Sequence, residues 1–364
     1  MNVEFSVLER KYKLYREEYE QAALQALRSG WYILGRELKK FEESFAEYIG
    51  SANCIGVNSG TDALILAFRA LEIGVGDEVI VPAGTYIASV IGITENGARP
   101  VFVDSDEYLQ MDAEKIEEKI NDKTKAILAV HLYGQTCQMD TIMDIAERYN
   151  LYVVEDCAQC HDSTFRKKKA GTFGDIGCFS FYPTKPLGAL GDAGALVTDS
   201  GDLAEKLRML RNYGSKEKYY NEIKGVNSRM DEVQAALLSI GLGHLAEENK
   251  VRIDIAERYL SGINNDAVRL PKIRKGSTHV FHIFPILVDN REIFQQYLLE
   301  NGIKTQVHYP IPPYVADCYS EWGYSWEDYP YASYIAKHEV SLPIYAGMPE
   351  DEVRYVIDVV NRFM

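Results

Sequence analysis

Short apolar runs, separated by segments with helical spacing, occupy the middle of the chain. The runs are CIGVNS, DEVIVPA, RPVFVDS, KAILAVHLYG, LYVVED, CFSFY and ALVTD. Continuous apolar runs of this length are typical of parallel strands that are buried on both faces and joined by crossover helices. The pattern therefore predicts an α/β fold with a mostly parallel central sheet sandwiched by helices.

The pattern changes after about residue 247. VFHIFPILV is typical of a strand, whereas REIFQQYLLENGI and EVRYVIDVVNRF are typical of helices. The 364 residues exceed what one small core usually holds. We therefore predict two domains, a large one over 1–246 and a smaller C-terminal α+β domain over 247–364.

Composition narrows the function classes. A net charge of -15 without a basic cluster argues against nucleic-acid binding. We see neither an apolar leader at the N-terminus nor an apolar run long enough to span a membrane, and we expect a cytoplasmic protein. Cys157, Cys160 and His161 match the short pattern for c-type haem attachment, but no export signal accompanies them. We favour reduced thiols, and no second cysteine pair supports a metal site.

One lysine occupies an unusual loop, CFSFYPTKPLGALGDAG, over residues 178–194. Lys185 lies between Pro183 and Pro186, which restrict the backbone, and follows an aromatic strand. A partly desolvated lysine loses its proton more readily and can then form an imine with a carbonyl cofactor. The alternative is a surface loop with an incidental charge. The imine hypothesis requires partners for a cofactor such as pyridoxal phosphate (PLP) elsewhere in the chain.

Candidates for those partners follow other strands, where ligands gather in open parallel sheets. Asp156 closes an apolar strand, a costly place for a carboxylate unless it faces a partner such as a protonated pyridine nitrogen. Gln159 follows it, and Tyr86 comes after DEVIVPA, where it can stack on a ring. The helix that begins at residues 59–61 offers backbone N–H groups to a phosphate. Ordinary helix N-caps explain Asp156 and the start of this helix as well.

Two later segments carry polar rings and cations. QVHYPIPPY holds His308 and Tyr309 in a loop stiffened by prolines, which is either structural or a sugar contact. YGSKEKYYNEIKG is rich in tyrosine and lysine, and we expect this loop to reach a ligand or a partner.

Four of these segments, taken together, resemble one known family. NSGTDAL, VEDCAQ, FSFYPTKPLGALGDAG and GVNSRMDEVQAALL are similar to motifs of the DegT/StrS family of nucleotide-sugar aminotransferases. The motifs stand in family order along nearly the whole chain. The resemblance implies the PLP-dependent transferase fold type I, that of aspartate aminotransferase. The family usually has alanine near the positions of Cys157 and Cys160.

The resemblance also implies roles for individual residues. Lys185 matches the lysine that holds PLP and later moves protons, and Asp156 matches the residue that keeps the pyridine nitrogen protonated. Gln159 would lie beside the 3'-oxygen of the cofactor. The resemblance further implies that Tyr86 stacks on the ring of the cofactor and that Gly60, Thr61 and Ser180 bind its phosphate, together with Asn227 of a neighbouring subunit. It places His308 and Tyr309 near the sugar, and Lys218 and Tyr219 near the nucleotide. A homodimer with shared active sites follows from the role of Asn227.

The implied reaction is ping-pong transamination. L-glutamate would convert PLP to pyridoxamine phosphate (PMP), and a nucleotide-linked keto sugar would then receive the amino group. Lysine at position 185 favours transamination, because related dehydratases carry histidine there. RNYGSKEKYYNEIKGVNSRMDE and VHYPIPPY are most similar to the branch that aminates carbon 3 of dTDP-3-keto-6-deoxyhexoses. The alternatives are a 4-keto or UDP-linked substrate, or a PLP-binding regulator without turnover.

Overall fold

Helices and strands alternate through most of the chain. The computed structural model describes all 364 residues. Its strands are β1 (Asn53–Val57), β2 (Glu78–Pro82), β3 (Arg99–Val103), β4 (Thr124–Val130), β5 (Tyr152–Asp156), β6 (Thr164–Phe165), β7 (Lys168–Lys169), β8 (Ile176–Ser180), β9 (Gly194–Thr198), β10 (Ser215–Glu217), β11 (Tyr220–Asn221), β12 (Val268–Arg269), β13 (Phe284–Val288) and β14 (Glu339–Leu342). Its α-helices are α1 (Leu8–Leu14), α2 (Arg16–Ser29), α3 (Arg36–Ile49), α4 (Gly60–Ala70), α5 (Ile87–Thr94), α6 (Met139–Tyr149), α7 (Gly201–Leu210), α8 (Glu232–Gly262), α9 (Arg291–Glu300), α10 (Pro330–His338) and α11 (Glu350–Asn361).

The central sheet has seven strands in the order β1-β9-β8-β5-β4-β2-β3. Strands β3, β2, β4, β5 and β8 pair in parallel, and β9 runs antiparallel to both of its neighbours, β8 and β1. The prediction of a mostly parallel sheet is confirmed. Among the runs that we expected to be parallel strands, the prediction was wrong for ALVTD. It forms the antiparallel β9, because the chain returns from β8 through a loop and not through a crossover helix.

Both faces of the sheet are buried under helices. Alternate side chains point to opposite faces of a strand. Ile55 of β1 and Leu128 of β4 pack with α4, α5 and α7 on one face. Cys54 of β1 packs with α3 and α8 on the other face, and Ile127 of β4 packs there with α6. This two-sided burial explains why the strands appear in the sequence as continuous apolar runs.

A smaller antiparallel sheet, in the order β12-β13-β14, forms the core of the C-terminal part with α9 and α11. Its core includes Val3, which bridges Ile303, so the first residues of the chain belong to this core as well. The predicted boundary at 246/247 falls inside α8, a continuous helix of 31 residues that contributes to both cores. The exact division of the chain therefore stays a prediction.

Candidate active site

A cavity of about 870 Å³ lies at the carboxyl ends of β4, β5 and β8, where the small C-terminal sheet unit meets the central sheet. This is the edge at which ligands bind in open α/β sheets. Nine of the residues singled out in the sequence line it: Gly60, Thr61, Tyr86, Asp156, Gln159, Ser180, Lys185, His308 and Tyr309.

Lys185 lies in the turn that follows β8. Its backbone N–H donates to the carbonyl of Tyr182 at 2.8 Å. The surrounding protein desolvates the ammonium and lowers the pKa of Lys185 to about 8, although the carboxylate of Asp156 acts in the opposite direction. A neutral amine is the nucleophilic form, so this environment suits a lysine that attacks a carbonyl carbon.

A buried ionic cluster holds the loop just after Lys185. The carbonyl of Pro186 accepts hydrogen bonds from Lys11 Nζ and Arg252 Nη2, both at 3.3 Å. Lys11 in turn pairs with Glu248 at 2.8 Å. Two helices that are far apart in the sequence, α1 and α8, thereby fix the position of the lysine loop. The sequence contained no local signal for this cluster.

Asp156 is buried at the end of β5. Its carboxylate accepts a hydrogen bond from Ser89 Oγ at 2.8 Å and one from the backbone N–H of Ala158 at 3.1 Å. Burial raises the pKa of Asp156, and the Ser89 hydroxyl, the Ala158 N–H and the Lys185 cation oppose that rise. Asp156 can therefore hold a cationic ring nitrogen in place while both of its own oxygens stay oriented.

The side-chain amide of Gln159 has a fixed orientation. Its Oε1 accepts from the backbone N–H of Tyr133 at 2.5 Å, and its Nε2 donates to Tyr309 Oη at 2.9 Å. The acceptor bond assigns the oxygen and nitrogen of the amide, and an NH₂ group has a second hydrogen to offer. The rings of Tyr309 and Tyr86 lie 4.7 Å apart, which places a second aromatic face at the cavity.

The start of α4 forms an anion site. Ser59 caps the helix by accepting from the backbone N–H of Asp62 at 3.1 Å. The backbone N–H groups of Gly60 and Thr61 donate to no other group of the chain, so both are available to a ligand. A Cβ at Gly60 would lie 2.5 Å from the Cβ of Ser180, so only glycine lets the helix start approach β8 this closely.

Three predicted site residues lie outside this cavity. Asn227 is exposed and its backbone bridges Asn212. Lys218 and Tyr219 lie at the tip of the β10–β11 hairpin, with Tyr219 83% exposed. Within one chain these three residues therefore do not line the cavity that holds Lys185.

His282 is a cavity residue that the sequence reasoning missed. It lines the cavity just before β13, and burial and the nearby Lys185 cation lower its pKa well below the usual value for histidine. Its position in the apolar run HVFHIFPILV was the only signal, and we interpreted that run as a strand.

The three residues of the CAQCH pattern, Cys157, Cys160 and His161, are fully buried. The two cysteines and His131 bring their potential ligand atoms within 4.8 Å of one another. Both ring nitrogens of His131 are already engaged, one with Glu155 at 3.0 Å and the other with the backbone N–H of Cys137 at 3.1 Å. Hydrogen bonds thus hold the ring of His131, whereas neither ring nitrogen of His161 has a hydrogen-bond partner.

The fold, the desolvated lysine, the buried carboxylate and the free helix N-terminus fit PLP and define a PLP-dependent aminotransferase of fold type I. When bound, PLP supplies the carbonyl carbon that takes up an amino group and a ring that accepts electrons. The chain belongs to the DegT/DnrJ/EryC1/StrS aminotransferase family, whose model matches residues 13–361.

Individual relatives agree with this assignment. The chain is 52% identical over 350 residues to dTDP-3-amino-3,6-dideoxy-alpha-D-galactopyranose transaminase of Aneurinibacillus thermoaerophilus, with 96% of each chain covered. The crystal structure of DesV from S. venezuelae, in complex with a ketimine intermediate, superposes with a TM-score of 0.97 at 42% identity and covers 99% of this chain and 98% of that one. NtdA from Bacillus subtilis with bound PMP gives a TM-score of 0.91 at 31% identity, with 99% and 84% covered.

These findings confirm the fold class, the enzyme class and the cofactor that the sequence predicted. The roles of the individual cavity residues stay predictions. No helix in the structure is both long enough and apolar enough to cross a membrane.

Proposed function

We propose that this enzyme transfers the amino group of L-glutamate to carbon 3 of a dTDP-3-keto-6-deoxyhexose and forms a 3-amino-3,6-dideoxy sugar nucleotide. The observation that carries the proposal is the 52% identity, over 96% of both chains, to a transaminase named for a dTDP-3-amino-3,6-dideoxy sugar. The reaction alternates between the PLP and PMP forms of the enzyme. L-glutamate leaves as 2-oxoglutarate in the first half, and the carbonyl oxygen of the sugar leaves as water in the second.

Each of the cavity residues has a separate role in this reaction, according to where it lies. Lys185, whose pKa of about 8 makes the neutral amine accessible, holds the cofactor and moves a proton at the reacting carbon. Asp156 keeps a proton on the ring nitrogen, and the N-terminus of α4 binds the phosphate. His308 and Tyr309, which also line the cavity, contact the sugar.

The reaction is best tested in reverse, with 2-oxoglutarate as the amino acceptor and a series of amino-sugar nucleotides as donors. The series pairs the dTDP-linked 3-amino sugar with the dTDP-linked 4-amino sugar and with a UDP-linked 4-amino sugar. We expect glutamate to form with the dTDP-linked 3-amino sugar at a kcat/KM at least about tenfold above the others, a difference of about 1.4 kcal/mol in transition-state binding. A preference for either 4-amino sugar would overturn the assignment of carbon 3.

A homodimer that shares its active sites is the second part of the proposal. Lys218, Tyr219 and Asn227 are exposed and lie outside the cavity of their own chain, which supports a role in the site of a partner. In such a dimer Asn227 binds the phosphate of the cofactor in the partner, and Lys218 and Tyr219 lie near the nucleotide. The cytoplasmic location remains a prediction.

A mixing experiment tests the shared site. Lys185→Ala and Asn227→Asp each damage every site of their own dimer. After the two proteins are unfolded and refolded together, random pairing gives hybrids with one intact site, so activity returns to about one quarter of the wild-type value. If Asn227 acts within its own subunit, mixing restores nothing, because every chain with an intact lysine still carries the Asn227→Asp change.

A further inference from the structure

His308 is hydrogen-bonded on one side of its ring only. Its Nδ1 lies 2.8 Å from Ser341 Oγ. Nε2 bonds no other residue of the chain, and the ring belongs to the cavity wall. Any hydrogen-bonding role toward a substrate therefore falls to Nε2.

The hydrogen bond between His308 and Ser341 continues to a buried carboxyl group, that of Glu339. Glu339 and Ser341 are neighbours on one face of β14, because side chains two residues apart point the same way in a strand. A hydrogen bond joins Ser341 Oγ and Glu339 Oε1, and the backbone N–H of His308 donates to Glu339 Oε2 at 2.6 Å. Neither Glu339 nor Ser341 is exposed to solvent. The carboxyl group thus contacts His308 directly through its backbone and indirectly through Ser341.

The hydrogen-bonded chain of Glu339, Ser341 and His308 can arrange its hydrogens in two ways. Ser341 has a single hydroxyl hydrogen. When Glu339 is ionised, that hydrogen points to Glu339, Nδ1 of His308 must donate to Ser341, and Nε2 is an acceptor. When Glu339 is protonated on Oε1, it donates to Ser341, the serine donates to Nδ1, and Nε2 carries the hydrogen.

We propose that Glu339 and Ser341 are positioning residues of a proton relay that makes His308 Nε2 a proton donor to a substrate oxygen. The inference rests on the proposed function, in which that oxygen is the sugar carbonyl oxygen that leaves as water. In the step, the Nε2–H bond breaks and a substrate O–H bond forms. The serine proton moves to Nδ1, the glutamic acid proton moves to the serine oxygen, and Glu339 becomes a carboxylate.

The surroundings favour this direction of transfer. Burial raises the pKa of Glu339 to about 8, although the hydrogen bonds from Ser341 and His308 and the charge of Arg291 oppose the rise. Burial and the Lys185 cation lower the pKa of His308 to about 4. At neutral pH the acid is therefore mostly protonated and the imidazole is neutral. The relay supplies a proton without creating a buried imidazolium.

Apart from Arg291 and Lys185, the titratable groups around His308 are neutral. Tyr133 Oη donates to the carbonyl of His308, and burial raises the pKa of both Tyr133 and Tyr309, so both stay neutral. His282 is kept neutral by burial and by the Lys185 cation. Arg291, which donates to the carbonyl of Ala336, is the charged group that acts on Glu339.

The first test observes the tautomer directly. The holoenzyme is labelled with ¹⁵N-histidine, and the His308 signals are assigned with His308→Gln. We expect hydrogen on Nε2 below about pH 8 and on Nδ1 above it. Glu339→Gln, whose amide can donate only toward Ser341, should keep hydrogen on Nε2 at every pH. Hydrogen on Nδ1 throughout the range from about pH 6 to about pH 10, or a Glu339→Gln variant that still switches, would overturn the relay.

The second test asks whether the relay serves the reaction. Both half-reactions are measured in single turnovers with wild type, Ser341→Ala and the control Ser333→Ala. Ser333 is also a buried serine with a hydrogen-bonded hydroxyl, but it lies on α10, outside the cavity. We expect Ser341→Ala to slow the sugar half about 100-fold and to leave the L-glutamate half within about twofold. Ser333→Ala should change neither half.

The pH profile separates the relay from Lys185, whose pKa is also about 8. Ionisation of Lys185 affects both half-reactions, so we take the ratio of the two rates. That ratio should fall above about pH 8 in wild type and stay flat in Ser341→Ala. Equal slowing of both halves, or a ratio with the wild-type pH dependence in Ser341→Ala, would contradict the proton-donor role. If no keto sugar reacts at all, the proposed function fails, and the tautomer experiment still decides whether the relay exists.

Discussion

The start of α4 offers a sharp test of how the cofactor phosphate is held. In Gly60→Ala the new Cβ would lie 2.5 Å from Ser180 Cβ and 3.0 Å from Ser180 Cα. Carbon atoms in contact lie about 3.5–4.0 Å apart, so the helix start and β8 must separate by about 1 Å. Part of that obstacle is main chain, so rotation of a side chain cannot relieve it.

Overpacking of this kind costs about 1–3 kcal/mol. If the strain opens the anion site, this whole free energy is lost from PLP binding. At about 1.4 kcal/mol for each tenfold change, the Kd for PLP then rises by about 5- to 140-fold. The assay is a fluorescence titration of the apoenzyme with PLP, together with its thermal unfolding.

Gly201→Ala is the matched control. Gly201 is also the first residue of a helix, α7, and also follows a serine N-cap, but a Cβ there would meet nothing within 4 Å. This variant should bind PLP as wild type does and unfold at the same temperature or slightly higher. A folded Gly60→Ala protein that binds PLP within about twofold of wild type would refute the assignment of the phosphate to this helix.

Three further substitutions test the lysine and the carboxylate. Lys185→Met should abolish transamination yet stabilise the apoprotein at pH 7 by about 3 kcal/mol, because burial in the wild type lowers the pKa of this amine from 10.5 to about 8. Between pH 8 and 10.5 the unfolded chain binds this proton and the folded chain does not, so the gain in stability should shrink as pH rises through that window. A gain in the free energy of unfolding that stays constant with pH, measured with denaturant, would argue against desolvation of the lysine. Asp156→Asn should lower kcat by at least about 100-fold. Ser89→Ala removes only one hydrogen bond to Asp156 and should lower kcat by about tenfold. Equal losses of kcat in the two variants, or normal turnover in Asp156→Asn, would contradict the role assigned to Asp156.

The sequence was enough to identify site residues that lie at or just after the end of a strand. Lys185 and Asp156 each come at or just after the end of a buried parallel strand, and ligand sites gather at that edge, so local pattern was enough to find them. The anion site at Gly60 was found from a different local pattern, the small polar residues at the start of a helix.

Other parts of the site depend on packing between distant segments. Ser89 reaches Asp156 across 67 positions, and Glu339 reaches the backbone of His308 from 31 positions away. No local pattern marks such pairs, because a serine in a helix and a glutamate in an apolar strand each have ordinary local explanations. The direction of β9 was missed for a related reason, since a short apolar run does not reveal which way it pairs.

The central claim is that this chain is an aminotransferase that takes its amino group from L-glutamate. The most direct measurement is the absorption spectrum of the purified holoenzyme before and after L-glutamate is added, with no sugar present. We predict that the visible band of the PLP form is replaced by the near-ultraviolet band of the PMP form, with about one 2-oxoglutarate released per active site. A protein that binds PLP and keeps an unchanged spectrum at saturating L-glutamate would contradict the claim.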